Sequence, residues 1–135
     1  MSDIVRLPKY EYLASFYENY DGDSFWFQVH KKVDMGFNII SEIHFKINVR
    51  LYGGDTYEMR DKDTDKRAKA VAAQALVENL LTQAESIKLR THRDKTGKYG
   101  RYLATILYRL PGRKRHYNLL TLLRRRGLLT GKYEK

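Results

Sequence analysis

Hydrophobic and polar residues alternate with period two through much of the first third of the chain. Within Ser24–Val33, Phe25, Phe27 and Val29 fall on one side and Trp26, Gln28 and His30 on the other, the pattern of a strand with one face in a core. An aromatic-rich run from Tyr10 to Tyr20 precedes it, and Asp21-Gly22 between the two has the backbone freedom of a tight turn. Together they predict a hairpin, with Tyr10, Tyr12, Phe16, Tyr17 and Tyr20 read as strand core rather than as a base-stacking platform. A third strand is predicted over Glu42–Tyr52, with Ile43, Phe45, Ile47, Val49 and Leu51 on one face and His44, Lys46, Asn48 and Arg50 on the other. Arg50 thus stands opposite the core on a rigid element, which preorganises its guanidinium.

The period then lengthens. Over Ala68–Ala84, Ala72, Leu76, Leu80 and Gln83 mark one side of a helix, and Val71, Ala75, Val77 and Leu81 widen its apolar stripe. The charged segment Asp61–Asp65 before it reads as an exposed loop in which Asp63, Thr64 or Asp65 caps the helix. Ser86–Arg90 and Arg101–Arg109 read as two further strands, separated by the polar loop Thr91–Gly100. A short helix fits His116–Arg126, with Gly127 in a terminating position. The order is three strands, a helix, two strands and a helix, without internal repeat or linker. A single β-rich α+β domain over residues 1–135 is expected, with an N-terminal extension of about residues 1–9.

Composition narrows the chemistry. A chain of 135 residues is long enough to bury about two thirds of its unfolded surface without disulfides. The absence of cysteine excludes thiol catalysis and cysteine-ligated zinc. No apolar run approaches the roughly 18 residues of a membrane span, and Met1–Arg6 lacks an apolar signal core, so no membrane contact and a cytoplasmic location are expected. The net charge of +10 is lopsided: residues 1–86 carry 11 basic against 14 acidic side chains, and residues 87–135 carry 15 against 2. A basic last third favours a polyanionic partner, since each phosphate neutralised releases condensed counterions; plain solubility is the competing account.

Five charged residues spread over three segments carry the candidate chemistry: Asp23 in Tyr20-Asp21-Gly22-Asp23-Ser24, then Arg50, Asp55 and Glu58 around Tyr52-Gly53-Gly54-Asp55-Thr56-Tyr57-Glu58, then Arg101 after Lys98-Tyr99-Gly100. Each has a plainer reading. Asp is common in turns, Glu58 could be an ordinary solvated carboxylate, and Arg101 could belong to the general basic surface. Taken together they are the inventory for phosphodiester hydrolysis: carboxylates for a divalent cation, a carboxylate to orient or deprotonate water, and planar Arg forks for phosphate oxygens. Hard oxygen ligands without His or Cys suit calcium or magnesium rather than zinc. Gly53-Gly54 permits the close backbone approach that lets a carboxylate and a neighbouring carbonyl face one ion. His30, His44, His92 and His116 show no metal-ligand spacing and are assigned no chemistry.

In this order and spacing the segments resemble the staphylococcal-nuclease-like (thermonuclease) family, over about Tyr17 to Tyr133. The family pattern is an Asp-Gly-Asp-Thr turn, an Arg five residues before Asp-Thr-Pro-Glu, and a Tyr-Gly-Arg after a long helix. The resemblance implies an OB-fold five-stranded β-barrel with two or three packed helices, presenting an open face to nucleic acid. It implies calcium, with magnesium or another divalent ion as alternatives, held by Asp23, Asp55 and the Thr56 carbonyl. Arg50, Glu58 and Arg101 are the implied catalytic groups: Glu58 orients or deprotonates the attacking water, Arg101 contacts the scissile phosphate and assists the leaving oxygen, and Arg50 acts on the other side of the phosphate. Lys98 and Tyr99 match nucleotide-phosphate contacts, and Tyr133 matches a tyrosine near the bound nucleotide. Two departures stand out. Tyr57 replaces the family proline, which loosens the loop carrying Glu58, and the chain stops at Lys135, without the family's further C-terminal helix.

The runs Arg113-Lys114-Arg115 and Arg124-Arg125-Arg126 have no counterpart in the family pattern. They are either solvated faces or an extension of the nucleic-acid track. The expected function is a divalent-metal-dependent nuclease of low sequence specificity acting on DNA, with RNA as a further substrate. The alternatives are a catalytically inactive OB-like nucleic-acid-binding or adaptor module, and a basic structural protein whose acidic loop binds calcium for stability.

Overall fold

The computed structural model describes residues 11–92 and 102–130. The elements are β1 (Glu11–Asn19), β2 (Ser24–Gly36), β3 (Ile39–Leu51), α1 (Thr64–Gln83), β4 (Ser86–His92), β5 (Tyr102–Arg109), β6 (Tyr117–Asn118) and α2 (Leu119–Arg125). It is a β-rich α+β fold. The six strands form one sheet in the order β3-β2-β1-β4-β5-β6, all neighbours antiparallel, and β3 also pairs with β5 in parallel. That last pairing, Val49 opposite Tyr102 and Leu51 opposite Ala104, closes the first five strands into a ring and leaves β6 as a short appendix.

Alternation builds the core. Phe25, Phe27 and Val29 of β2, Val49 and Leu51 of β3, Ile87 and Leu89 of β4, and Ala104 and Ile106 of β5 are all buried. Both helices begin on polar caps. The Asp63 carboxylate accepts the Asp65 and Lys66 amides, at 2.9 and 3.3 Å, and Asn118 Oδ1 accepts the Leu120 amide at 2.9 Å, satisfying donors that an open helix end leaves unpaired. Gly127, at φ 68°, ends α2 while the Leu128 amide reaches back to the Leu123 carbonyl at 3.0 Å, the closing bond of a left-handed helix stop.

Several expectations need correction. α1 starts at Thr64 and buries Ala70, Ala73, Val77 and Leu81; Val71, Ala72 and Ala75 face solvent and Leu76 and Leu80 only border the core. The small side chains of Ala70 and Ala73 let the helix lie close to the β1–β2 turn, and closeness selects that face over the bulkier one. α2 starts at Leu119 rather than His116, because Tyr117–Asn118 pairs with β5 instead. In β1, Tyr12 and Phe16 pack on the core, but Tyr17 and Tyr20 are exposed. The β1–β2 register shifts between Phe16 and Glu18, which turns Tyr17 out to lie under the Lys46 ammonium, 3.7 Å from its ring centroid. Tyr10 lies outside the described residues.

The largest difference is at β3. Val49 is fully buried, but Ile43 and Phe45 on the same face are 48% and 41% exposed. β1 pairs with β2 only as far as Leu13 opposite His30. Beyond that point, among the described residues, β2 and β3 run on as a two-stranded hairpin that ends at Phe37 and Asn38, both at positive φ (55° and 61°).

Candidate active site

The β1–β2 turn is built around Asp21, Gly22 and Asp23. The Asp23 amide donates to Asp21 Oδ1 at 3.1 Å, a local Asx-type turn. Asn19 Nδ2 donates to the carbonyls of Asp21 and of Gln74 in α1, at 3.0 and 3.2 Å, tying the turn to the helix. A side chain at position 22 would put its Cβ 2.7 Å from Thr56 Cγ2 and 2.8 Å from Ala73 Cβ, so only glycine lets turn, loop and helix meet. Asp23 is held inside this junction. Its carbonyl accepts the Leu51 amide at 2.9 Å, and its Oδ2 accepts the Thr56 amide at 3.0 Å.

The loop after β3 returns to the same place. Gly53 takes φ 100°, and a Cβ on Gly54 would come within 2.8 Å of Leu120 Cδ1, so the close approach this pair makes is to α2 and not to a site for an ion. Further along the chain, the Thr130 amide donates to the Asp55 carbonyl at 2.8 Å and Leu129 pairs with Thr56. Lys69 of α1 stands over the Tyr57 ring, 5.3 Å from its centroid. These contacts hold the loop around Tyr57. Arg50, paired with Ser24 across the β2–β3 ladder, donates from Nη2 to Asp55 Oδ1 at 2.5 Å.

The electrostatics follow from this crowding. Burial pushes the Asp23 carboxyl up from 3.8 to about 8, reinforced by the hydrogen bond and charge of Asp21 and by the charge of Asp55, against the opposing effect of the Thr56 amide. Arg50 is held charged even more firmly than usual by its hydrogen bond to Asp55, with partial burial working the other way. Thr56 Oγ1 is buried without a hydrogen-bond partner. Among the described residues, the ligand atoms of Asp21, Asp23 and Asp55 do not form a group within 4.8 Å of one another, so the junction offers oxygen donors of the kind a hard cation takes without closing them around one point. Thr56 thus meets Asp23 through its amide rather than through the carbonyl expected as a ligand, and Asp55 lies near enough for its charge to act on Asp23.

No known family model matches the chain, and no curated protein matches it.

Glu58 follows on the same loop and is exposed, its carbonyl accepting the Asp61 amide at 3.2 Å. Lys98, Tyr99, Arg101 and Tyr133 lie outside the described residues; Tyr102, which follows Arg101, pairs with Val49, the residue before Arg50. Arg113, Lys114 and Arg115 are exposed in the β5–β6 turn, and Arg124, Arg125 and Arg126 are exposed at the end of α2, where cations also complement the helix dipole. The basic runs are thus solvent-facing, and the segment that follows the second run packs on the junction loop through Leu129 and Thr130. A cleft of about 570 Å³ lies elsewhere, between β1 and the end of α1, and its lining includes Glu18, Glu78 and Glu85. Those carboxylates make it a poor seat for a polyanion.

Two features are not visible in the sequence alone. Asp21, a turn residue by pattern, is the nearest carboxylate acting on Asp23, and the i, i+2 spacing of Asp-Gly-Asp is its signal. His30 and His44 lack ligand spacing along the chain, yet they meet across the β2–β3 ladder.

Proposed function

We propose that the protein is a divalent-metal-dependent nuclease hydrolysing phosphodiester bonds of DNA, with RNA as a second substrate, and that its ring of five strands is an OB-like barrel. The observation that carries this reading is the junction at which Asp23, Arg50, Asp55 and Thr56, from two separate segments, meet through direct contacts. Carboxylates and a guanidinium held together where β3 pairs with both β2 and β5, beside a basic last third, match phosphodiester chemistry better than they match stability: Asp23 in this setting costs the metal-free fold free energy.

Asp23, Asp55 and Thr56 would hold the ion, with calcium the reading favoured by the resemblance. When bound, a divalent ion supplies charge neutralisation at the phosphate. Every other role belongs to the chain. Glu58, exposed to water, orients or deprotonates the nucleophile, which requires hydrogen-bond reach rather than burial. Arg50 has its guanidinium already directed to the carboxylate junction, so its fork is preorganised for phosphate oxygens there. Arg101 supplies the second fork, and Lys98, Tyr99 and Tyr133 contact the nucleotide. Exposed Arg113, Lys114, Arg115, Arg124 and Arg125 lengthen the track for the backbone.

The Arg50–Asp55 ion pair favours a second reading, a binding module without turnover, since it commits two of the proposed groups to each other. Single-turnover cleavage and equilibrium DNA binding of Arg101→Lys, Arg50→Lys and Glu58→Gln separate the two. Lys keeps the charge and loses the fork. A nuclease loses about a hundredfold or more in turnover with a much smaller change in affinity, and excess chelator stops the parent. Parent-rate cleavage by all three variants, or no cleavage by the parent with any divalent ion, leaves the binding module.

A further inference from the structure

On the outer face of the β2–β3 hairpin, His30 and His44 sit directly opposite each other and Glu42 lies two residues from His44 on the same face. One ligand atom from each of the three lies within 4.8 Å of the others. The two Nδ1 atoms face each other at 2.6 Å. His44 Nε2 is 2.9 Å from Glu42 Oε1, and His30 Nε2 is 2.7 Å from Ser15 Oγ. Lys46 lies over the Tyr17 ring, and Lys32 is the cation opposite Glu42 in the ladder. We propose that His30 and His44, with Glu42 behind His44, bind a divalent transition metal of the zinc class where the hairpin leaves the sheet.

Proton accounting supports the site. With neutral rings and an ionised Glu42, the consistent arrangement has Ser15 donating to His30 Nε2, His30 Nδ1–H donating to His44 Nδ1, and His44 Nε2–H donating to Glu42. An ion between the two Nδ1 atoms needs both free and both Nε2 atoms protonated. His44 already satisfies this. His30 reaches it by a tautomer change, and the Ser15 hydroxyl turns to accept. Each Nε2–H then has an acceptor already in place, the outer-shell support that fixes metal-ligating imidazoles.

Zn–N bonds of about 2.0–2.1 Å at a tetrahedral angle set the two nitrogens about 3.4 Å apart. The rings must therefore separate slightly, and as solvent-accessible side chains they are free to do so. Imidazole nitrogens select zinc, nickel or copper over calcium, so this site and the oxygen-rich junction at Asp23 take different ions. Bound metal would cross-link β2 to β3 and hold the hairpin beyond the reach of β1.

The test is calorimetric titration of the full chain with zinc in excess calcium, together with thermal melts. The wild type is expected to bind one zinc and to melt at higher temperature with it, because a ligand of the folded state stabilises by mass action. His30→Ala and His44→Ala should each lose that binding and the melting shift, while keeping the metal-free melting temperature of the wild type. Glu42→Gln should bind about tenfold or more weakly. Asp23→Asn should bind zinc as the wild type does. Failure of the wild type to take up zinc, undiminished binding by either histidine variant, or loss of binding in Asp23→Asn overturns the proposal. None of these outcomes depends on nuclease activity.

Discussion

At Asp23 burial makes the ionised form of a single residue costly to the fold. Its ionisation is disfavoured because it is buried beside Asp21 and Asp55, and its carboxyl is pushed up to about 8. The sign follows from linkage. In the unfolded chain the group releases its proton near its ordinary value of 3.8, whereas the fold retains it, so the contribution of this group to metal-free stability is full below about pH 4 and is lost as pH rises to about 8. Asp23→Asn keeps an oxygen to accept the Thr56 amide and removes the charge. In chelator it should melt like the wild type at about pH 4 and be more stable by about 1–3 kcal/mol at about pH 8, while losing calcium binding. Melts across that interval and calorimetry with calcium check both halves. A wild type whose stability relative to the variant does not change with pH contradicts the account.

At the scale of elements, the β2–β3 hairpin separates hydrophobic pattern from hydrophobic burial. Ile43 and Val49 share a face of β3 and read alike in sequence, but one stands beyond the end of β1 and the other inside the ring. The same replacement should therefore have unlike effects. Ile43→Thr keeps a β-branched side chain at an exposed position and should change stability by less than about 0.5 kcal/mol. Val49→Thr buries a hydroxyl in a full core and should cost about 1–3 kcal/mol. Urea titrations of the two variants give the comparison, and equal losses would place Ile43 in a core that the fold does not show.

For the whole molecule, charge is the property that reaches furthest. The acidic junction at Asp21, Asp23 and Asp55 and the exposed basic runs of the last third occupy different elements, so the runs can be neutralised without altering the acidic residues themselves. Neutralising Arg124, Arg125 and Arg126 together by Gln should weaken DNA binding and reduce the slope of log affinity against log salt, by about 0.9 for each duplex phosphate that is no longer neutralised. Folding should survive, because all three are exposed at a helix end, with a loss of about 1 kcal/mol or less from the helix dipole. Filter binding across a salt series measures it; an unchanged slope makes these arginines a solvated helix face.

Local rules made much of this legible from sequence. The alternation in Ser24–Val33, the Asp63 cap and the Gly127 stop depend on a few adjacent residues, and each lies where local chemistry places it. The grouping of Asp23 with Asp55 and Thr56 was legible only through a resemblance in spacing, because the contacts that make it run between residues 33 apart. Register was not legible at all. A plain two-residue turn at Phe37-Asn38, which pairs Gly36 with Ile39, would set His30 against Phe45. The irregularity between Asp34 and Gly36 shifts the ladder by one residue and sets His30 against His44 instead. One residue of slip exchanges the faces of a strand, so the shift also keeps the apolar residues of β2 and β3 on a common side. Side-chain periodicity is written in the chain, whereas which strands outlast their neighbours, and which side chains meet across a ladder, is decided only when the strands pair.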